Sequence, residues 1–163
     1  MINQLEQSKK MKLYRIFFLT IFTLLIVYTN SYSQRQGFGI GIIIGEPTGI
    51  SMKGWLTSKS AIDAGLAWSF IDETSFHIHA DYIWHSFDLI KTKEELPVYY
   101  GIGGRIKIDD HDTRIGLRMV GGIEYIFNDA PLDIFFEVAP ILDLAPATKL
   151  SANAGLGARF FFH

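Results

Sequence analysis

The residues that come closest to a chemical motif are histidines in one short stretch of the chain. His77 and His79 are separated by one residue, and Asp81 and His85 follow on the same alternation. Because alternate side chains share one face of a β-strand, the pair could bind zinc with a carboxylate as third ligand. The default expectation is that these histidines pair with carboxylates inside the protein. We therefore predict no metal site and no cofactor, with metal binding at His77 and His79 as the open alternative.

Hydrolysis by a serine nucleophile would need a serine, a histidine and an acid in contact. Five residues are candidates for such a set: Ser69, Ser86, His77, His85 and Asp88. They occur without a G-x-S-x-G motif. The chain has no cysteine, which excludes thiolate nucleophiles, cysteine zinc sites, iron–sulfur clusters and disulfides. The sequence therefore predicts no enzymatic activity and assigns no catalytic residue.

Charged residues recur at alternate positions within otherwise apolar segments. Six basic and six acidic residues share these positions, and a dry interior must pair such charges because an isolated buried ion is costly. We expect the arginines to meet the acids in a structural network. The predicted network comprises Asp63, Asp81, Arg105, Arg118, Glu124, Glu137 and Arg159, and the same face carries Lys53, Lys107, Arg114, Asp133 and Asp143. The alternative is a conduit for ions or protons, which would need an interior wide enough to conduct.

These positions belong to segments with the period-two alternation of β-strands. Most of the segments span 9–15 residues, whereas strands of soluble sheets usually have about 5–6. Tilted strands of about 9–11 residues can cross a bilayer. The eight predicted strands cover 37–45, 49–56, 60–71, 75–89, 97–108, 113–127, 132–145 and 148–162.

The two faces of these strands differ in a way that distinguishes two kinds of barrel. One face is apolar with aromatic residues near the strand ends, and the other carries glycine and charge. Glycine weakens a solvent-facing strand but makes room inside a narrow lumen. The sequence therefore predicts an all-β, eight-stranded antiparallel up-and-down transmembrane barrel, with the apolar face toward lipid.

The first 33 residues are predicted to be a signal peptide for export. A basic segment, 9–15, precedes an uncharged apolar run of 13 residues, and the small residues Ser31 and Ser33 follow. A membrane-spanning helix would need about 18–20 apolar residues. We expect a signal peptide over 1–33 and a barrel domain over 34–163, with Met11 as an alternative start. The net charge of −2 argues against a nucleic-acid partner.

Over 37–162 the strand pattern resembles the small eight-stranded bacterial outer-membrane barrels, the OmpA-transmembrane-domain and OmpX-like superfamily. Three short runs, 45–49, 79–82 and 130–133, are similar to a family of small secreted bacterial barrels without an assigned activity. The resemblance implies outer-membrane lipid and the barrel-assembly machinery as partners, and it implies no catalytic residues. One departure is His163, which follows the aromatic run 160–162 where such barrels usually end on an aromatic residue.

The expected function is that of an integral outer-membrane barrel with a structural or interaction role. A protein partner in the periplasm or at the surface stays open, and the charged connector 91–95 is a candidate docking segment. One alternative is a soluble periplasmic barrel of lipocalin type that binds an apolar ligand. Another is a lipid-modifying outer-membrane enzyme that uses His77 or His85.

Overall fold

Eight antiparallel strands form a closed barrel in the computed structural model, which describes residues 36–69, 75–90, 92, 95–109 and 112–162. Each strand pairs with its neighbours in sequence, and β1 pairs with β8. The predicted all-β class and eight-stranded up-and-down barrel are therefore confirmed. The strands are β1 (Phe38–Glu46), β2 (Thr48–Trp55), β3 (Ser60–Ser69), β4 (Ser75–Ser86), β5 (Val98–Asp109), β6 (Thr113–Ile126), β7 (Leu132–Ala145) and β8 (Lys149–Phe162).

The predicted signal peptide, 1–33, lies outside the described residues. Within the part of the chain that the structure describes, no helix has the length and apolarity to cross a membrane.

The closing seam between β1 and β8 fixes which strand ends lie together. Phe38 pairs with Phe162 at one end of the seam, and Glu46 pairs with Ala154 toward the other. We call the first the terminal end and the second the opposite end. At Gly41 the two strands approach closely, because an added Cβ would lie 2.6 Å from the Cα of Arg159. A glycine is therefore needed there for the barrel to close.

Most described strand ends lie within one residue of the predicted ones, and two of the differences are informative. The predicted turn over 46–49 is reduced to Pro47, because Thr48 is already the first residue of β2 and pairs with Trp68 of β3. The Thr48 hydroxyl donates to the Gly45 carbonyl at 2.9 Å. The predicted strand 75–89 ends at Ser86, although its alternation continues. The chain leaves the sheet there and bridges back to it at Glu95, which pairs with Ile126.

The distribution of polar and apolar side chains is inverted relative to a soluble protein. Among the described residues, 27 large hydrophobic side chains are exposed, whereas 18 polar or charged residues are buried. Soluble domains bury their large apolar residues and expose their charges, so this distribution is the reverse of the one that a water-facing barrel would have.

The interior also contains a small apolar cluster that the sequence did not single out. It consists of Ile43, Ala61, Ile83, Tyr99, Val120, Phe135 and Ala139, with Trp55 packed against it. Glycines make room for the larger rings, as expected for a narrow lumen. At Gly157 an added Cβ would lie 2.5 Å from Cε1 of Phe135, and at Gly122 it would lie 2.6 Å from the Tyr99 hydroxyl.

Candidate functional site

The largest group of interior charges is centred on Arg159, on the inner face of β8. Its Nε donates to both oxygens of Asp133 at 3.1 and 3.2 Å, and its Nη2 donates to Glu124 at 3.2 Å. Nη1 pairs with Asp63. The guanidinium also lies 3.9 Å from the centre of the Phe135 ring. One cation thus ties together acids from β3, β6 and β7.

Lys53 and His85 share Glu124 with Arg159. The Lys53 Nζ lies 2.6 Å from both oxygens of Glu124, and the His85 Nε2 lies 3.1 Å from Oε2. Trp55 covers Lys53, with the Nζ 4.1 Å from the ring centre. We call this group the Arg159 cluster; its members are Lys53, Asp63, His85, Glu124, Asp133 and Arg159.

A second group surrounds Arg118 on β6. Arg118 pairs through Nη1 with Asp81 on β4 and through Nη2 with Glu137 on β7. The Tyr99 hydroxyl donates to the other oxygen of Glu137 at 3.3 Å. Arg118 and Tyr99 are about 1% exposed, so this Arg118 cluster is screened from bulk solvent. The cluster links strands that are not neighbours in the sheet and therefore crosses the bore.

A third interior group is the ion pair between Arg105 on β5 and Asp143 on β7. The Arg105 Nη2 donates to the two carboxylate oxygens at 2.6 and 2.8 Å and to the Ser151 hydroxyl at 3.3 Å. The pair again spans the lumen, because β5 and β7 are separated by β6. Its buried position makes it part of the same interior polar layer as the two clusters.

The seven residues predicted for the charge network all point inward and are buried, and each takes part in one of these groups. Three further charged members were not assigned to the network from the sequence, namely Lys53, Asp133 and Asp143. They lie on the same alternating face, which was the available signal. Tyr99 gave no such signal, because an aromatic residue on that face also suits a packed core.

The histidines have separate environments. His77 contacts the Ser75 hydroxyl through Nε2 at 3.1 Å, and His85 contacts Glu124. Within the described residues no carboxylate pairs with His79, whose ring fills the space left by Gly65. The expectation that all three histidines meet carboxylates is therefore met only by His85. Among the described residues, no three His, Asp or Glu side chains are grouped as metal ligands.

The five candidates for a serine hydrolase set are not brought together. Ser69 donates to Glu46 and lies at the opposite end, whereas His85 lies in the Arg159 cluster. The one serine–histidine contact among the described residues joins Ser75 to His77, and the His77 Nδ1 has no partner there. Without an acid on that nitrogen, the arrangement lacks the orienting group of a triad.

A cavity of about 500 Å³ occupies the interior at the opposite end of the barrel. Inward side chains of most strands contribute to its wall, and Arg105 and Asp143 form its boundary toward the interior polar layer. Its lining residues are Glu46, Ser69, His77, Arg105, Lys107, Arg114, Asp143, Lys149, Ser151, Ala152 and Asn153. We call this cavity the vestibule.

No protein-family model and no curated protein matches this chain. Among solved structures, the chain is similar to the N-terminal β-barrel domain of Pseudomonas aeruginosa OprF, with 14% identity and a TM-score of 0.54, over 77% of this chain and 95% of that domain. It is also similar to Neisserial surface protein A, with 15% identity and a TM-score of 0.47, over 77% and 93% of the two chains. At this identity, the likeness to the OprF barrel shows a shared fold.

Proposed function

We propose that this chain, which has the fold of a small outer-membrane barrel, is an integral outer-membrane protein with a structural or interaction role and a lumen closed by charge pairs. The observation that carries the proposal is the inverted surface, with large apolar side chains outside and charged side chains inside. A lipid bilayer stabilises such a surface, whereas water does not.

The dimensions of the barrel support this assignment. Its strands have 8–14 residues. A strand of 10 residues, tilted by about 45°, rises about 23 Å along the barrel axis. The apolar band of an outer-membrane barrel is about 25 Å tall, so the strands match the thickness that they would have to cross.

Aromatic side chains on the outer surface occur at both ends of the barrel, with Trp68 and Phe76 at the opposite end and a larger group at the terminal end, which supports a membrane boundary at each. Trp84 lies between two tyrosines, with ring centres 4.5 Å from Tyr82 and 6.2 Å from Tyr100. Phe160 and Phe162 are 5.1 Å apart on β8. Aromatic girdles of this kind mark the interface between lipid and water. We propose that this end, where β1 begins and β8 ends, faces the periplasm.

Export and insertion belong to the same proposal. The segment 1–33 would direct the chain out of the cytoplasm as a cleaved signal peptide, and the barrel-assembly machinery would insert it into outer-membrane lipid. An unidentified periplasmic or surface protein is a further candidate partner. The connector between β4 and β5 joins Ser86 to Val98, which both lie at the terminal end, and its sequence includes the charged segment 91–95.

The charged interior argues against the lipocalin alternative. A soluble barrel that binds an apolar ligand needs an apolar interior and a polar outer surface. Here the bore holds the Arg159 and Arg118 clusters. The proposal of a lipid-modifying enzyme has less support, because His77 and His85 lie inside the barrel wall rather than on its lipid face.

A closed lumen predicts that the wild-type barrel conducts no ions. The two clusters and the Arg105–Asp143 pair cross the bore, and breaking them would leave buried charges unpaired. We expect planar-bilayer recordings in molar KCl to give no conductance steps, while heat-modifiability of the same preparation verifies that the barrel is folded. Reproducible steps from the folded wild-type protein would contradict a charge-paired plug.

A further inference from the structure

We propose that the vestibule binds a small anionic ligand through a phosphoryl group. The inference goes beyond a structural barrel, because it gives the opposite end a ligand of defined chemistry. It rests on the charge of the vestibule wall, on three buried side-chain nitrogens without partners, and on the size and shape of the cavity.

The wall carries more positive than negative charge. Four basic and two acidic residues line the vestibule, and both acids already have partners. Asp143 accepts from Arg105, and Glu46 accepts from Ser69. Arg114 lies 3.5 Å from Asp109. Neither Lys107 nor Lys149 forms an ion pair within the described residues, so both ammonium groups are available there to an anionic ligand.

Three buried nitrogen atoms of the wall have no hydrogen-bond partner among the described residues. They are the His77 Nδ1, the Arg105 Nε and the Asn153 Nδ2, and each of these residues is no more than 7% exposed. A buried polar atom without a partner is costly, and most native structures satisfy it. If Ser75 donates to the His77 Nε2, the Nδ1 carries the proton. All three atoms are then donors, as a site for an anion requires.

The strand register places some of these donors beside one another. Lys107 on β5 is paired with His77 on β4 and with Arg114 on β6, so three basic side chains stand in one row. On the far wall, Lys149 is paired with Asp143. A phosphoryl group presents three strong acceptor oxygens, which suits several donors better than a single carboxylate would.

The volume and the surroundings of the vestibule limit the kind of ligand. About 500 Å³ lies in the range of small-molecule sites. The strand ladder is closed around the bore, so the ligand enters through the mouth at the opposite end. The phosphoryl group can come from a soluble metabolite or from the headgroup of a phospholipid at the rim. Both sources present the same phosphoryl group, and the experiment below distinguishes between them.

The test is an amide NMR titration of the full barrel in octyl glucoside micelles, with phosphate-free buffer. Glucose 6-phosphate is the soluble probe, glucose is its neutral counterpart, and phosphatidic acid added to the micelles is the lipid probe. We expect glucose 6-phosphate, and not glucose, to shift amides of the vestibule strands. Shifts of the same amides with phosphatidic acid alone would support the site and assign it to a headgroup.

Lys107→Gln removes one charge that has no ion-pair partner among the described residues. We expect it to weaken binding of the phosphorylated probe about tenfold, the effect of one charge-assisted hydrogen bond. Lys59→Gln is the matched control, because Lys59 is an exposed residue of the β2–β3 turn at the terminal end. It should leave the affinity unchanged.

Three results would overturn the inference: no amide shift with either phosphorylated probe, equal binding of glucose and glucose 6-phosphate, or equal weakening by both lysine substitutions. A titration with Ca²⁺ tests the opposite charge preference, since the connectors 70–74 and 110–111, outside the described residues, contain Asp72, Glu73 and Asp110. Vestibule shifts with Ca²⁺ but with neither phosphorylated probe would be the first of these results and would show that the site prefers cations. None of these results would remove the barrel from the membrane, so a failed anion site is distinguishable from a failed membrane assignment.

Discussion

Replacing Arg159 with methionine is expected to destabilise the folded barrel by about 3–5 kcal/mol. The substitution leaves Glu124, Asp133 and Asp63 facing one another in a buried space, with Lys53 as the remaining cation of the cluster. Methionine keeps much of the side-chain volume, so the loss of stability is due to the missing charge and not to a cavity. Equilibrium unfolding in urea, followed by tryptophan fluorescence in lipid vesicles, measures the difference.

The control for this substitution is Arg114→Met. Arg114 is partly exposed and lies 3.5 Å from Asp109, so its removal should cost less than about 1 kcal/mol. Adding Asp63→Asn and Asp133→Asn to the Arg159 variant should recover part of the lost stability, because fewer buried charges are then unpaired. An Arg159 variant as stable as the wild type would show that the cluster does not hold the interior together.

Replacing Met119 with arginine is expected to destabilise the barrel by about 2–4 kcal/mol when it is folded in lipid. Met119 is the seventh residue of the 14-residue strand β6 and is 59% exposed on the outer face. If that face contacts the bilayer midplane, the guanidinium must enter hydrocarbon or distort the lipid around it. Unfolding in vesicles measures the cost.

The same substitution separates a membrane barrel from a soluble one. On a water-facing surface an exposed methionine can become arginine with a change within about 0.5 kcal/mol. Leu150→Arg is the matched control, because Leu150 is the second residue of β8, near the opposite end, where an arginine should cost about 0–1 kcal/mol. Equal and negligible effects at both positions would argue against a lipid-facing surface.

The fold could be predicted because its decisive information is local. Alternation along one strand indicates both the strand and its buried face, and the predicted span 132–145 coincides with β7. The ends of strands are harder to predict from the sequence. The alternation of β4 continues past Ser86 although the chain leaves the sheet there, because apolar residues in a connector produce the same pattern.

Seven of the ten charged residues that form these groups could be predicted, but which residue pairs with which could not. Arg118 meets Asp81 from two strands away, and Lys53 on β2 reaches Glu124 on β6 across the bore. Such pairs depend on the stagger and tilt of the closed barrel, which no single strand specifies. The vestibule could not be predicted from the sequence for the same reason, because Lys107 and Asn153 face one cavity only once the barrel has closed.

The most direct test of a membrane barrel is where the protein is found in the cell and how it migrates on a gel. Envelopes are extracted with detergent, the periplasm is released by osmotic shock, and both fractions are run on a semi-native gel with and without boiling. The proposal predicts that the protein stays with the outer membrane, needs detergent for extraction and changes mobility on boiling. Release by osmotic shock without a mobility shift would contradict it and would require the outer face to be a water-facing surface.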